Sequence, residues 1–223
     1  MKRITIDGGC LSGLRTALPA QWFKVFVPAQ DGQRSGGRAY TVRRYDPATG
    51  QLDIDFVLHG DSGPVSAWAE RVQVGGGFEI SDVHPRSGFS IEPGTEDYLL
   101  FGDETGLPAI GAILEALPAS ARAQVFAEIA HAGEAQELTS RATLSVTWLH
   151  RDGAATAASM LLEAVARSVD IPTRATVIWV AAESTQVAAI RRLLLKERGV
   201  DRTMLHATGY WKRGEADHRD EEA

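Results

Sequence analysis

Arg38, Tyr40 and Thr41 form the motif Arg-x-Tyr-Thr at the start of a predicted strand. Side chains alternate along a strand, so Arg38 and Tyr40 point to one face and Thr41 to the other. A planar guanidinium group binds a pyrophosphate through two parallel hydrogen bonds, and a phenol ring suits stacking on an isoalloxazine. The motif is therefore compatible with binding of a flavin dinucleotide. On these residues alone, an exposed arginine beside a strand-forming Tyr-Thr pair is the simpler interpretation.

A glycine-containing turn over residues 59–66 joins a predicted strand to a helix predicted over residues 66–72. The first N–H groups of a helix lack intrahelical acceptors and lie at the positive end of its dipole, so such a turn can bind an anion. The alternative is a plain strand-to-helix connection in which Ser66 caps the helix.

Residues 102–108 and 209–214 are two further candidate segments. The first follows a predicted strand of a parallel sheet, where ligands bind at the carboxyl ends of strands. Its two acids would repel a phosphate, so contacts through the backbone or ribose hydroxyls are expected. A helix entry capped by Asp103 or Thr105 is the alternative. In the second segment, Tyr210 and Trp211 either shield a ligand or pack on the domain in a closing edge strand.

Composition limits the possible functions. The chain has 223 residues, a formal net charge of -6 and one cysteine. The negative charge argues against a nucleic-acid partner, and the longest apolar runs are too short to cross a membrane. One cysteine permits neither an intrachain disulfide nor a four-cysteine iron–sulfur site. The histidines lack metal-type spacing, so no metal site is expected. No secretory signal is recognised, which predicts a cytoplasmic protein.

The two halves of the chain follow different periodicities. Residues 1–94 are predicted to form short strands over 22–27, 40–45 and 52–59, typical of an antiparallel sandwich or barrel. Residues 95–214 alternate strands with helices, which predicts a parallel sheet with crossover helices. Its predicted strands cover 98–102, 123–130, 144–149 and 175–181, and its predicted helices cover 108–117, 154–168 and 185–198. The charged residues 215–223 are predicted to be a disordered tail.

Six segments in order resemble the siderophore-interacting protein family, and the resemblance runs from about residue 2 to residue 214. The segments are R-A-Y-T-V-R-R-Y at 38–45, L-D-I-D-F-V-L-H-G at 52–60, G-P-V-S-A-W-A at 63–69, G-D-E-T-G-L-P-A-I at 102–110, W-V-A-A-E-S at 179–184 and G-Y-W-K-R-G at 209–214.

The resemblance implies an antiparallel Greek-key β-barrel that binds flavin over residues 1–94, then a parallel-sheet α/β nucleotide-binding domain over residues 95–214. This is the layout of the ferredoxin-reductase superfamily. It also implies a bound FAD, an NADPH or NADH donor, and a monomeric enzyme that reduces the iron(III) of a ferric siderophore. A flavin oxidoreductase with another acceptor, and a non-catalytic siderophore or flavin carrier, remain as alternatives.

The resemblance further implies roles for individual residues, with no side chain acting as nucleophile or general base. The flavin side comprises Arg38, Tyr40, Thr41, Val42, His59, Gly63, Val65 and Ser66. The nicotinamide side comprises Asp103, Glu104, Thr105, Trp148, Arg151 and Glu183, and Arg151 is the candidate for a 2′-phosphate contact. Tyr210 and Trp211 adjoin a cofactor. The siderophore side comprises Lys24, Arg86, Lys212 and Arg213.

The chain also departs from the family pattern. A first barrel strand is expected to be missing. The family's Gly-Pro-Arg-Gly turn is replaced by His84-Pro85-Arg86-Ser87. Ala182 stands where the family has glycine, and its methyl group is expected to crowd the approach of a cofactor to the backbone.

Overall fold

The computed structural model describes residues 1–29, 33–58, 63–153, 159–172 and 175–218, with only the backbone of residues 9 and 10. The chain divides into two compact units, Met1–Ser90 and Ile91–Ala223. The sequence analysis placed the domain boundary after Gly94. No helix formed by the described residues is both long and apolar enough to cross a membrane.

The first unit consists of two antiparallel sheets and one helix. Its elements are β1 (Lys2–Asp7), β2 (Trp22–Phe26), β3 (Arg38–Thr41), β4 (Arg44–Asp46), β5 (Gln51–Phe56), α1 (Pro64–Arg71) and β6 (Glu79–Ile80). One sheet has the order β1-β5-β4 and the other has the order β3-β2-β6. Strand β1, which the sequence analysis did not predict, pairs with β5 along its whole length, from Lys2 opposite Phe56 to Asp7 opposite Gln51.

The two sheets share one hydrophobic core. Phe23 and Val25 of β2 and Leu52, Ile54 and Phe56 of β5 have no exposed surface. Their alternation along each strand puts every second side chain into the core. Burying one such side chain contributes about 1.5–3 kcal/mol, so these five supply much of the driving force for folding of this unit.

The strand predicted over residues 40–45 is two strands in different sheets. Val42 N–H donates to Gln21 O (2.8 Å), whereas Arg43 N–H donates to Asp53 O (3.1 Å). The chain therefore leaves the β3-β2-β6 sheet at Val42 and joins the β1-β5-β4 sheet at Arg43. Strands that change sheets in this way make the corners of orthogonal sandwiches and barrels.

The second unit is a parallel sheet with helices. Its main elements are β7 (Asp97–Gly102), α2 (Leu107–Ala116), β8 (Arg122–Ile129), β9 (Thr143–His150), α3 (Leu161–Ser168), β10 (Thr176–Glu183), α4 (Ser184–Arg192) and β11 (Leu205–Trp211). The strand order is β11-β10-β7-β8-β9, and all pairs are parallel. The chain moves outward from β7 to β9 and then crosses to β10, so the carboxyl ends of β7 and β10 form a topological switch point.

The predicted fold class, antiparallel sheets followed by a parallel α/β sheet, is confirmed, although two predicted helices differ in length. The helix predicted over residues 154–168 begins at Leu161 in the structure, and residues 154–158 lie outside the described residues. The helix predicted over residues 185–198 is regular through Arg192 and continues as a π-helical turn, Leu193–Glu197.

Candidate functional site

Tyr40 lies on β3 directly opposite Phe23 of β2. Its ring packs against Phe56, with centroids 4.6 Å apart and planes 43° apart. Burial raises the pKa of Tyr40 to about 12, although the nearby Arg38 charge opposes this. The phenol therefore stays neutral at physiological pH and is supported on one side by the core, while its side chain keeps some exposed surface.

Arg38 lies on the same face of β3 as Tyr40, opposite Val25. Its guanidinium group donates to the carbonyl oxygen of Gly37 (3.0 Å). Among the described residues, no carboxylate forms an ion pair with Arg38. The guanidinium group therefore offers several free donors to an anionic ligand.

Gly37 allows the chain to enter β3 close to the side chains of β2. A Cβ atom at this position would lie 2.5 Å from a ring carbon of Phe26 and 2.8 Å from Cδ of Lys24. Any larger residue would push these side chains away and shift the start of β3, which carries Arg38. The glycine therefore helps to fix the position of the guanidinium group.

Thr41 and Val42 are both buried, but in different surroundings. Thr41 lies opposite Trp22, on the face of β3 away from Tyr40. The Val42 side chain belongs to the hydrophobic core of the first unit, and its N–H already donates to Gln21 O. Its carbonyl oxygen, rather than its side chain or N–H, is therefore the group of Val42 that a flavin could meet.

Helix α1 begins after Gly63, an N-terminal cap residue without a side chain, and Pro64 occupies its first turn. The side chains of Val65 and Ser66 are buried, and Ser66 Oγ donates to Val57 O (3.4 Å) rather than capping the helix. Because no side chain of Gly63 covers the helix N-terminus, the first-turn N–H groups suit an anion. His59, predicted to adjoin this turn, lies outside the described residues.

An aromatic row connects α1 to β3. The ring of Phe56 contacts Tyr40 on one side and lies 6.1 Å from the ring of Trp68 on α1, and Trp68 meets Phe78 at 4.9 Å. This row places helix α1, at Trp68, close to the Tyr40 side of β3. A ring support, a guanidinium group and a helix N-terminus fit the isoalloxazine and pyrophosphate of FAD.

The other face of the β2–β3 pair carries Trp22 and Lys24. The imidazole of His84 stacks on Trp22, with centroids 4.4 Å apart and planes 12° apart. Nδ1 of His84 is buried and has no hydrogen-bond partner among the described residues. Arg86 is exposed in the same turn as His84, so this region carries an aromatic stack and two cations, Lys24 and Arg86.

In the second unit, Asp103 is a buried structural hub. It has no exposed surface. Its Oδ1 accepts from the N–H and hydroxyl of Thr105 (2.8 and 2.6 Å), and its Oδ2 accepts from Trp211 Nε1 (2.7 Å) and Glu183 N (3.1 Å). Burial raises its pKa to about 6, despite the hydrogen bonds that favour the carboxylate. Asp103 therefore positions the carboxyl ends of β7, β10 and β11, and its oxygens are not available to line a nucleotide.

Arg151, the candidate for a 2′-phosphate contact, is committed to two carboxylates. It forms a bidentate ion pair with Glu104 and a second pair with Glu128 (3.3 Å). The Arg151 side chain is only 6% exposed. Its guanidinium group is therefore already held by two carboxylates and has little freedom to make the 2′-phosphate contact expected from the sequence.

Glu128 and Gln186 complete this network, and the sequence analysis missed both. Glu128 Oε2 accepts from Gln186 Nε2 (3.2 Å), which also donates to Ser159 O (3.1 Å). Gln186 is 8% exposed, and its Oε1 is buried with no partner among the residues that the structure describes. A buried acceptor without a donor suits a hydroxyl or amide group of a ligand.

Glu183 caps helix α4. Its carboxylate accepts from Thr185 N (2.7 Å) and Gln186 N (3.1 Å). The positive end of this helix is therefore occupied by the protein's own charge and does not suit a phosphate. Ala182, expected to crowd a cofactor, belongs instead to the hydrophobic core of this unit, so its methyl group faces away from any ligand.

The remaining predicted residues lie on β9 and at the end of β11. Trp148 is half-buried on β9, an edge strand of the sheet. The ring of Tyr210 meets Trp179 edge-on at 6.1 Å, and burial raises the Tyr210 pKa. Lys212 forms an ion pair with Glu215, while Arg213 is exposed. The aromatics thus pack on their own unit, as the edge-strand alternative proposed.

The comparisons with known proteins match the two units separately. Residues 95–214 match the family model described as siderophore-interacting protein, and residues 29–87 match that of the siderophore-interacting FAD-binding domain. The chain belongs to the siderophore-interacting protein family. The resemblance that the six sequence segments suggested is therefore confirmed.

Similar proteins support the family across nearly the whole chain. Ferric vibriobactin reductase ViuB of Vibrio cholerae is 30% identical over 231 residues, covering 95% of this chain and 84% of that protein. A siderophore utilization protein from T. fusca is 34% identical with a TM-score of 0.87, covering 97% of this chain and 88% of that one. The siderophore-interacting protein SipS of Aeromonas hydrophila is 29% identical with a TM-score of 0.79, covering 96% and 86%.

Proposed function

We propose that this chain is an FAD-dependent reductase that passes electrons from a nicotinamide donor to ferric siderophores, as a cytoplasmic monomer. The observation that carries the proposal is the placement of Arg38 and Tyr40 on one face of β3, with the Tyr40 ring connected through Phe56 to Trp68 of helix α1. Two further supports are the FAD-binding family match over residues 29–87 and the similarity to ferric vibriobactin reductase.

The residues of the first unit have distinct roles toward FAD. Arg38 and the first turn of α1 bind the pyrophosphate, and Gly63 and Val65 leave the helix N-terminus open. The ring of Tyr40, held by Phe56, supports the isoalloxazine. Each role is one of binding or orientation, so positioning supplies most of the catalytic effect.

Bound FAD would accept two electrons together, as one hydride, and release them one at a time. One nicotinamide donor loses two electrons and a proton, and each iron(III) gains one electron, so one donor reduces two ferric chelates. Iron(II) binds hard anionic oxygens more weakly than iron(III), so reduction loosens the chelate. No side chain of the protein needs to act as nucleophile or general base in this scheme.

Lys24 is the residue we propose for attracting the chelate. Ferric siderophores are often anionic, and Lys24 shares its face of β2 with the Trp22–His84 stack. The exposed guanidinium of Arg86 adds positive charge in the turn that carries His84. A flat, partly apolar surface with two cations suits a bulky organic anion.

We propose NADH rather than NADPH as the donor, on the charge of one cluster in the second unit. Arg151 is paired with Glu104 and Glu128, and these two carboxylates and one guanidinium group leave a formal charge of -1. A 2′-phosphate near this cluster would be repelled, whereas the ribose diol of NADH is neutral. Gln186 Oε1 beside this cluster is a buried acceptor without a hydrogen-bond partner among the described residues.

The proposal is tested by reconstitution with FAD followed by anaerobic addition of NADH. We expect saturable FAD binding, seen as a shift in the flavin absorption bands, and bleaching of those bands by NADH. A protein that binds no FAD would refute the proposal, and one whose bound FAD is bleached neither by NADH nor by NADPH, added in a parallel sample, would indicate a flavin carrier.

A further inference from the structure

A groove of about 320 Å³ runs along helix α4 beside strand β11. Val187 and Leu195 from the helical segment and Ala207 from β11 contribute apolar surface to it. Ligand pockets commonly have volumes of about 300–1,000 Å³ and mostly apolar linings with a few polar groups. The groove meets this description in size and in its apolar part.

Its polar part consists of Ser184, whose hydroxyl contacts His218 Nε2 (2.7 Å), and of three cations, Arg191, Arg192 and Lys196. No carboxylate pairs with any of them within the described part of the chain. Other cations of the same unit are paired, for example Arg167, which contacts both Glu163 and Glu197. Within the described residues the groove therefore concentrates positive charge that no carboxylate pairs, in a chain whose formal net charge is -6.

This concentration of charge has an energetic cost. Arg192 and Lys196 are four residues apart on one helical segment, where like charges destabilise a helix by about 0.2–0.5 kcal/mol. The negative end of the α4 dipole offsets part of this repulsion. A bound anion would remove the rest, because it would pair with both cations at once.

We propose that this groove binds a small organic anion that carries a phosphate or more than one carboxylate on an apolar body. The three cations bind the charged group, and Val187, Leu195 and Ala207 contact the apolar part. The site goes beyond the proposed reductase activity, because it does not depend on FAD, on the nicotinamide donor or on the ferric chelate.

Calorimetric titration of the FAD-loaded protein at low ionic strength tests the site with phenyl phosphate, phthalate and benzyl alcohol. We expect saturable binding of at least one of the two anions and no binding of the uncharged alcohol. Tighter binding of phenyl phosphate would identify a phosphate ester, and tighter binding of phthalate a polycarboxylate. Binding of neither anion, or equal binding of benzyl alcohol, would overturn the proposal.

Variants locate the binding site. The double substitution Arg191→Gln with Lys196→Gln should weaken anion affinity at least tenfold, whereas Arg141→Gln, which removes an exposed cation elsewhere, should change it less than twofold. Equal losses in both variants would show non-specific attraction and overturn the proposal.

A second pair of variants adds charge without removing any cation. Ala188→Glu places a carboxylate in the groove, and Ala164→Glu places one on the exposed side of α3. Only the first should weaken binding tenfold or more. Unfolding curves of all four variants distinguish lost binding from lost folding, and unchanged affinity in a folded Ala188→Glu protein would also overturn the proposal.

Discussion

Trp211 Nε1 donates a hydrogen bond of 2.7 Å to Oδ2 of Asp103, 108 residues earlier in the chain. The bond joins the end of β11, at one edge of the parallel sheet, to the turn after the central strand β7. Glu183 N–H donates to the same oxygen from the end of β10 (3.1 Å). One buried carboxylate thus fixes the ends of three strands at the edge where nucleotides bind in such sheets.

The buried Asp103 carboxyl group should make stability depend on pH. Burial raises its pKa from 3.8 to about 6. Between these values the folded state binds more protons than the unfolded state, so the free energy of unfolding falls as the pH rises, by about 3 kcal/mol in total. Asp103→Asn should remove this fall. Urea unfolding of both proteins from pH 4 to pH 7 measures it.

Asp201→Asn is the matched control for this experiment. Its hydrogen bonds with Thr203 lower the pKa of the exposed Asp201. Its contribution to stability is therefore present at neutral pH and lost as the pH falls, opposite in sign to that of Asp103. If Asp103→Asn kept the full pH dependence of the natural protein, the carboxyl group would not be buried as described.

Gly106→Ala should destabilise the second unit. A Cβ atom at Gly106 would lie 2.6 Å from the carbonyl oxygen of Ala181, so the turn must move away from β10. Overpacking of this kind costs about 1–3 kcal/mol. Gly77→Ala is the control, because no atom lies within 4 Å of the added methyl group. Urea unfolding midpoints compare the two, and equal midpoints would contradict the close approach.

Arg38→Ala should weaken FAD binding by about 10- to 100-fold, because a charge-assisted hydrogen bond contributes about 1.5–3 kcal/mol. Quenching of flavin fluorescence during titration measures the dissociation constant. Arg44→Ala removes an exposed arginine from β4 and should leave the constant within twofold. The assignment of Arg38 to the pyrophosphate fails if the two variants bind FAD equally well.

Glu104→Gln should change the choice of donor. It removes one of the two carboxylates paired with Arg151 and brings the formal charge of the cluster from -1 to zero. We expect kcat/KM for NADPH to rise about tenfold relative to NADH, equivalent to about 1.4 kcal/mol. Glu163→Gln, which breaks the pair with Arg167 on α3, should not alter the ratio. An unchanged ratio in Glu104→Gln would show that this cluster does not determine whether the protein uses NADH or NADPH.

Sequence patterns predicted the elements that local periodicity controls. The Arg-x-Tyr-Thr motif lies on a strand with Arg38 and Tyr40 on one face, as alternation requires. Alternation could not locate the corner at Val42 and Arg43. The corner depends on backbone hydrogen bonds from these residues to Gln21 O and Asp53 O, which belong to two different sheets. The break between β3 and β4 is therefore a tertiary feature.

The ion pairs of Arg151 are a second tertiary feature that the sequence does not reveal. A lone arginine after a strand is typical of a phosphate contact, and nothing nearby in the sequence contradicts that interpretation. Its partners, Glu104 and Glu128, lie 47 and 23 residues earlier. They meet Arg151 only because β7, β8 and β9 are neighbours in the sheet. Strand order, which the sequence analysis did not predict, decides which charges neutralise one another.

Anaerobic iron(II) formation tests the central claim most directly. FAD-loaded protein is mixed with NADH and a ferric siderophore, an iron(II) trap records the product, and free FAD at the same concentration is the control. The proposed function predicts two iron(II) ions per NADH consumed, at a rate well above that of free FAD. NADH oxidation without iron(II), or a rate equal to that of free FAD, would contradict it.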